Sequence, residues 1–409
     1  MADFHQGGSI ATLHNLTDRP LEELEAELVK FSEQRPMGLL LPSLFSELET
    51  KAMPQILSEI KKVPYLSEIV IGLDRASKDE YCEALSFFDE LPQHHRVLWN
   101  DGPRLRELDA ELKSHGLAPL EEGKGRNVWY CLGYMLATDK AEAIALHDCD
   151  ITTYDRSLLA RLIYPMANPA FNYQFSKGYY PRIANNSLNG RVTRLLVTPL
   201  IRSLEQVVGH SDYLTYLDSF RYPLAGEFSF RRGVIPDIRM PGNWGLEMGT
   251  LSEMFRNYSN NKLCQVDIAE VYDHKHQDLS IDDREKGLSK MSTDICQLIF
   301  RKMAVMGHVF SKEVFRTLKA AYYRNALDFV ERYKNDALIN GLDLDVHKDE
   351  EAVELFAKNI IQAGKVFRSE PMTRPFIPSW SRVQSAIPDF PGRLIKAVED
   401  DNKEFCSKS

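Results

Sequence analysis

No C-x-x-C pair occurs among the six cysteines, Cys82, Cys131, Cys149, Cys264, Cys296 and Cys406. That scatter argues against a zinc ribbon and against a disulfide framework. Long apolar runs are missing too. The longest uncharged stretches, Asn127–Thr138 and Leu162–Ser176, fall short of the roughly 18 residues a membrane span requires, and Pro165 and Pro169 interrupt the second. The first residues, MADFHQGGSIATLHNL, carry an early acid and no apolar segment, unlike a secretory leader. A cytoplasmic protein without membrane contact is expected. Nor is positive charge in excess: 50 Lys+Arg against 59 Asp+Glu give a net charge of -9 and a pI near 5.7. A nucleic-acid partner is therefore not expected, although a local basic pocket for an anionic substrate remains compatible with this balance. No internal repeat or low-complexity block is visible.

What is present is an ordinary globular composition, 44% hydrophobic and 27% charged over 409 residues. That length suits two domains, or one large domain with an added segment, and can bury a core without metals or disulfides. From residue 37 the chain alternates between two kinds of segment. Met37–Pro42, Ser67–Leu73, His95–Trp99 and Glu142–Asp148 are short apolar runs, and helix-like stretches lie near Glu49–Lys62, Lys78–Glu90 and Gly125–Thr138. Continuous apolar strands separated by helices predict a parallel α/β sheet covered on both faces, with ligands collecting at the carboxyl ends of its strands. The last third differs. Leu288, Ile295 and Leu298, then Phe315, Leu318, Tyr322 and Phe329, then Val353, Phe356, Ile360 and Phe367 form helical stripes. These predict a helical C-terminal extension whose apolar faces serve as core or as a subunit contact, so a homodimer is expected. Three regions follow: a helical lead-in over residues 1–36, an α/β domain over 37–285, and a helical segment over 286–409 that ends in a proline-rich tail expected to wrap the surface.

Several motifs fall where such a sheet places chemistry. Asp148-Cys149-Asp150 follows the apolar run Ala143–Leu146. Two carboxylates at a strand end can hold a divalent cation and a ribose or diphosphate, and oxygen ligands suit Mg²⁺ or Mn²⁺. Spacing alone leaves a solvated turn as the competing reading. Gly123-Lys124-Gly125 opens a predicted helix, where close backbone approach, the helix N-terminus and the lysine favour an anion. Tyr272-Asp273-His274-Lys275-His276 follows the strand-like Leu263–Val271 and offers two imidazoles. Gly190-Arg191-Val192-Thr193 joins an arginine fork to a hydroxyl. Glu227, in Pro223-Leu224-Ala225-Gly226-Glu227, and Glu247, in Gly245-Leu246-Glu247-Met248-Gly249, could each bond sugar hydroxyls or cap a helix. The run Asp148-Cys149-Asp150-Ile151-Thr152 also fits a phosphatase of the haloacid-dehalogenase type with Asp148 as nucleophile. A downstream G-D-x-x-x-D is lacking, however, and the motif follows three strand units instead of opening the domain. A non-catalytic nucleotide-sugar sensor is a further alternative.

Over residues 37–279 the order and spacing of these motifs resemble the GT-A retaining glycosyltransferases that make glucosyl-3-phosphoglycerate. The resemblance implies a Rossmann-like nucleotide-sugar-binding domain. It also implies transfer of glucose from UDP- or GDP-glucose to 3-phosphoglycerate, with Mg²⁺ or Mn²⁺ as cofactor, on the way to the compatible solute glucosylglycerate. Pro42, Leu44 and Glu47 are similar to the family's nucleotide-binding P-A-L segment and its acid, although Phe45-Ser46 stands where the family has Asn-Glu. Asp74 and Ser77 resemble the segment that meets the base. Lys124, Asp148, Ala225 and Gly226 are implied on the donor, and Asp150 and His274 on the metal. Gly190, Arg191 and Thr193 are implied on the phosphoglycerate. For catalysis, the resemblance implies that the Leu224 carbonyl orients the reacting hydroxyl and that Glu247 holds the glucose hydroxyls. Two departures stand out against the family's V-R-A-H-R-N: Tyr272 replaces an arginine near the diphosphate, and His276 replaces an asparagine on the acceptor side. They open alternative outcomes, namely glycerate as acceptor or mannose as the sugar.

Overall fold

The computed structural model describes residues 6–17, 19–242, 245–274, 287–372 and 376–406. Its centre is an eight-stranded sheet built from β1 (Ala11–Leu13), β2 (Met37–Leu44), β3 (Leu66–Asp74), β4 (His95–Trp99), β5 (Ala143–Leu146), β6 (Phe175–Tyr179), β7 (Phe228–Arg231) and β8 (Leu263–Asp267). The strand order is β1-β8-β6-β7-β5-β2-β3-β4. Every pairing is parallel except those of β7, which runs antiparallel to both β5 and β6.

The apolar strands divide their side chains between two cores, as a period of two requires. Leu40, Val70, Leu98, Ile144 and Leu146 face one core. Leu39, Leu41, Ile69, Ile71, Val97, Ala143 and Ala145 face the other. Burial on both faces explains why these strands read as unbroken apolar runs. Helices Ala52–Ile60, Lys78–Phe88 and Lys124–Thr138 form where the sequence predicts them. The expected strand from Leu263 stops at Asp267, four residues short of Val271.

The C-terminal segment forms helices Gly287–Val305, Lys312–Ile339 and Val346–Ser369, packed on one another. Of the first stripe, Leu288, Ile295 and Leu298 are buried in the chain's own core, while Met306 at its end is exposed. The proline-rich tail does not simply wrap the surface. Phe390–Cys406 is a helix, because Phe390, Leu394, Ala397, Val398 and Asp401 recur at helical spacing and bury against the β4 edge. The segment before residue 37 holds helix Leu21–Ser32 and also β1, which extends the sheet beyond β8. Among the described residues, no helix is long and apolar enough to cross a membrane.

Candidate active site

Polar side chains gather at the carboxyl ends of β2, β3 and β5, the edge where ligands of such sheets bind. Helix Lys124–Thr138 begins there. A Cβ on Gly125 would lie 2.0 Å from the Pro241 carbonyl oxygen, so only glycine lets the two backbones approach. This approach sets Lys124 between two carboxylates, with its Nζ 2.6 Å from Asp148 Oδ1 and 3.2 Å from Glu247 Oε1. Burial works against the lysine's charge, but Asp148 and Glu247 outweigh it and hold its pKa well above the usual value. Asp148 is likewise raised by burial and lowered further by Lys124, and ends below its usual range.

The antiparallel register of Leu146 with Phe228 brings the 224–227 loop beside Asp148. A Cβ on Gly226 would sit 2.1 Å from Asp148 Oδ2, so the glycine permits this packing. Under the loop, the buried Lys177 on β6 donates to the Ala225 carbonyl, and burial draws its pKa down to about 8. Glu227 is fully buried and accepts the hydroxyls of Tyr180 and Tyr272, each at 2.6 Å. The two rings stack with centroids 3.7 Å apart. Burial, then Asp148, push Glu227 upward. Tyr272 is therefore turned into the protein interior. Leu224 is half-buried against the core.

Glu47, just past β2, accepts from the Leu44 N–H at 3.0 Å and the Ser43 hydroxyl at 3.2 Å. Burial, followed by Asp150 and Asp148, raises it to about 7. Pro42 and Leu44 end β2, and Asp74 ends β3, where burial and Asp101 raise its pKa. Ser77 caps helix Lys78–Phe88: its hydroxyl accepts from the Glu80 N–H, and its own N–H donates to Glu80 Oε2.

Beyond β5 the chain bridges Ile151 to His274, and the Thr152 N–H donates to the Asp273 carbonyl at 2.9 Å. That bridge brings His274 Nδ1 to 3.5 Å from Asp150 Oδ2. The other oxygen, Asp150 Oδ1, is buried without a hydrogen-bond partner. An imidazole facing a carboxylate that has a spare buried oxygen fits a divalent cation. Among the described residues no group of three His, Cys, Asp or Glu converges, so these two side chains would leave coordination places for phosphate oxygens. His276 lies outside the described residues.

Gly190, at φ +79°, turns the chain into a π-helical stretch over Val192–Val197. Thr193 Oγ1 is buried there without a partner. Arg191 donates from Nε to Asp349 Oδ1 at 2.9 Å, tying this segment to helix Val346–Ser369. Lys177, Tyr180 and Asp349 are members of the site region that motif reading passes over. Only Lys177 carries a local signal, as the one charged residue of a five-residue buried strand.

No family model matches the chain. It is 47% identical over 404 residues to the glucosyl-3-phosphoglycerate synthase of Persephonella marina, covering 99% of this chain and 100% of that one. It is 38% identical over 411 residues to the enzyme of the same name from Methanococcoides burtonii, with 99% and 100% covered. Among solved structures it is similar to Mycobacterium tuberculosis glucosyl-3-phosphoglycerate synthase in complex with Mn²⁺, UDP-glucose and phosphoglyceric acid. The TM-score is 0.54 at 20% identity, over 73% of this chain and 89% of that one. That likeness concerns the fold.

Proposed function

The chain belongs to the glucosyl-3-phosphoglycerate synthase family, and from that premise we propose that it transfers glucose from UDP-glucose to 3-phosphoglycerate in a metal-dependent reaction. The observation that carries the site assignment is the convergence of Lys124, Asp148 and Glu247 beside the Asp150–His274 pair at the strand ends. The phosphatase reading gives way to the family, and Asp148 is a donor ligand in place of a nucleophile.

Asp150 and His274 would hold Mg²⁺ or Mn²⁺. When bound, such a cation supplies Lewis-acid charge to the departing diphosphate. The chain's own residues do the positioning. Lys124 is fixed as a cation by two carboxylates and faces the donor, while Asp148, locked against Gly226, takes the ribose side. Glu247 grips glucose hydroxyls. Gly190, Arg191 and Thr193 take the phosphate of the acceptor. Thr193's unpartnered hydroxyl supports that role, because a buried polar group without a partner is costly unless a ligand completes it. In a front-face transfer, the acceptor oxygen bonds the anomeric carbon as the bond from that carbon to the phosphate oxygen breaks. The hydroxyl proton passes to the departing oxygen, and the Leu224 carbonyl orients that hydroxyl. A glycosyl-enzyme adduct on Glu247 or Asp148 would contradict this route.

GDP-glucose is a second candidate donor, read by the loop around Asp74 and Ser77. The product feeds synthesis of the compatible solute glucosylglycerate in the cytoplasm. A homodimer is supported by the exposed apolar residues Val305, Met306 and Val309 and is checked by sedimentation equilibrium, where a monomer at all concentrations refutes it. To test the transfer itself, the protein is incubated with Mg²⁺ or Mn²⁺, UDP- or GDP-glucose, and 3-phosphoglycerate or glycerate, following nucleoside diphosphate and sugar product together. Diphosphate release that requires both metal and 3-phosphoglycerate is expected. Release with glycerate alone would move the acceptor assignment.

A further inference from the structure

Asp349 lies in the first turn of helix Val346–Ser369, outside the α/β sheet, and is fully buried. Its two oxygens are divided between two arginines of the Gly190–Thr193 region. Arg191 Nε lies 2.9 Å from Oδ1, and Arg194 Nη1 lies 3.1 Å from Oδ2. The two arginines differ in what else they do. Arg194 is buried, donates from Nε to the Asn189 carbonyl at 2.9 Å, and packs over the Tyr333 ring at 4.9 Å. All of its groups are spent on structure. Arg191 keeps 31% of its side chain exposed, and Asp349 is its one hydrogen-bond partner among the described residues. The carboxylate holds it by the inner Nε–H and leaves the Nη edge of the guanidinium open. Two residues on, the Thr193 hydroxyl is buried and unpartnered.

The same C-terminal segment grips the preceding hairpin. The Asp343 N–H donates to the Asn186 carbonyl at 2.7 Å, and the Leu188 N–H donates to the Asp343 carbonyl at 3.3 Å. Charge balance is consistent with an anion site: one carboxylate between two guanidiniums leaves a net positive charge facing the open edge. A guanidinium fork loses much of its value when its rotamer is free, because ordering it then falls to the binding step.

We propose that Asp349 is a positioning residue of the acceptor site: the helical extension reaches into the glycosyltransferase domain and presets Arg191 for the phosphate of 3-phosphoglycerate. This rests on the assignment of Arg191 to the acceptor.

The test is steady-state kinetics of the full chain with UDP-glucose, Mn²⁺ and 3-phosphoglycerate. Asp349→Asn keeps the shape, but sets an amide N–H against an arginine donor. Its KM for 3-phosphoglycerate should rise about tenfold or more, while its KM for UDP-glucose and its kcat at saturating acceptor change far less. A part serving only stability would instead alter both substrates, or neither. Arg191→Ala is run alongside. If Arg191→Ala leaves the KM for 3-phosphoglycerate unchanged, the acceptor assignment fails and the inference goes with it. If Arg191→Ala raises that KM and a folded Asp349→Asn does not, the assignment stands and the role of Asp349 is overturned. Should Asp349→Asn not fold, Arg191→Lys replaces it. Lysine keeps the charge but lacks the fork that reaches Asp349 and phosphate together, so an unchanged KM for 3-phosphoglycerate again overturns the proposal.

Discussion

Gly226 and Asp148 illustrate how tightly single residues constrain this site. The loop before β7 lies so close to Asp148 that a methyl group at 226 would sit 2.1 Å from Oδ2. Gly226→Ala must displace either the loop or the carboxylate, and misplacing a substrate-positioning group by about 1 Å costs on the order of 100-fold in rate. A drop of that size in kcat/KM with an unchanged circular dichroism spectrum is the expected outcome, and near-normal turnover would refute the packing argument. Away from the site, Glu68 makes a pH prediction. It is fully buried on β3, and burial raises its pKa from 4.5 to about 7. Below 4.5 the folded and unfolded chains both carry the proton. As pH rises from 4.5 to 7 the unfolded chain ionises first, so stability falls across that window and levels off above it. Each pKa unit is worth about 1.4 kcal/mol, so the loss reaches about 3.5 kcal/mol at most. Glu68→Gln removes this dependence. Urea melts at pH 5 and pH 8 should show the variant gaining on the native chain at the higher pH, and parallel behaviour would contradict the assignment.

Elements differ in how far they can be read from sequence, for physical reasons. Strands β2 to β5 are legible because burial on both faces leaves unbroken apolar runs between helices. β1 is not, since three residues hold too little pattern to distinguish a strand from a loop. The prolines after Glu370 suggest an irregular tail, yet the stripe from Phe390 onward folds as a helix against the sheet. Lys124, Asp148, Glu247, Asp150 and His274 are legible through the order of their motifs. Asp349 is not, because a carboxylate in the first turn of an amphipathic helix reads like any N-terminal acid. Helix Phe390–Cys406 also completes the sheet edge. Asn402 accepts from the Val97 N–H at 3.1 Å and donates to the Val97 carbonyl at 2.8 Å, so its amide serves β4 as another strand would. Asn402→Ala leaves the Val97 N–H unpaired in a buried place, while the Val97 carbonyl keeps the Tyr81 hydroxyl at 3.2 Å. A loss of about 1–3 kcal/mol in denaturant melts is expected, with KM values near native. An unchanged midpoint would show that water replaces the amide.

At the scale of the whole molecule, an α/β sheet supplies the strand-end edge, one antiparallel strand folds the 224–227 loop onto Asp148, and a helical extension braces the proposed acceptor grip. The reaction proposed for this edge is metal-dependent glucosyl transfer through Asp150 and His274. The decisive measurement is the Mn²⁺-dependent rate of UDP release from UDP-glucose in the presence of 3-phosphoglycerate, compared between the native chain and Asp150→Ala. Release that requires both Mn²⁺ and the acceptor is expected in the native chain. In the variant a loss of about 100-fold or more is expected, with the melting temperature unchanged or raised. A variant that turns over at the native rate, or native release indifferent to metal and acceptor, would contradict the proposed reaction.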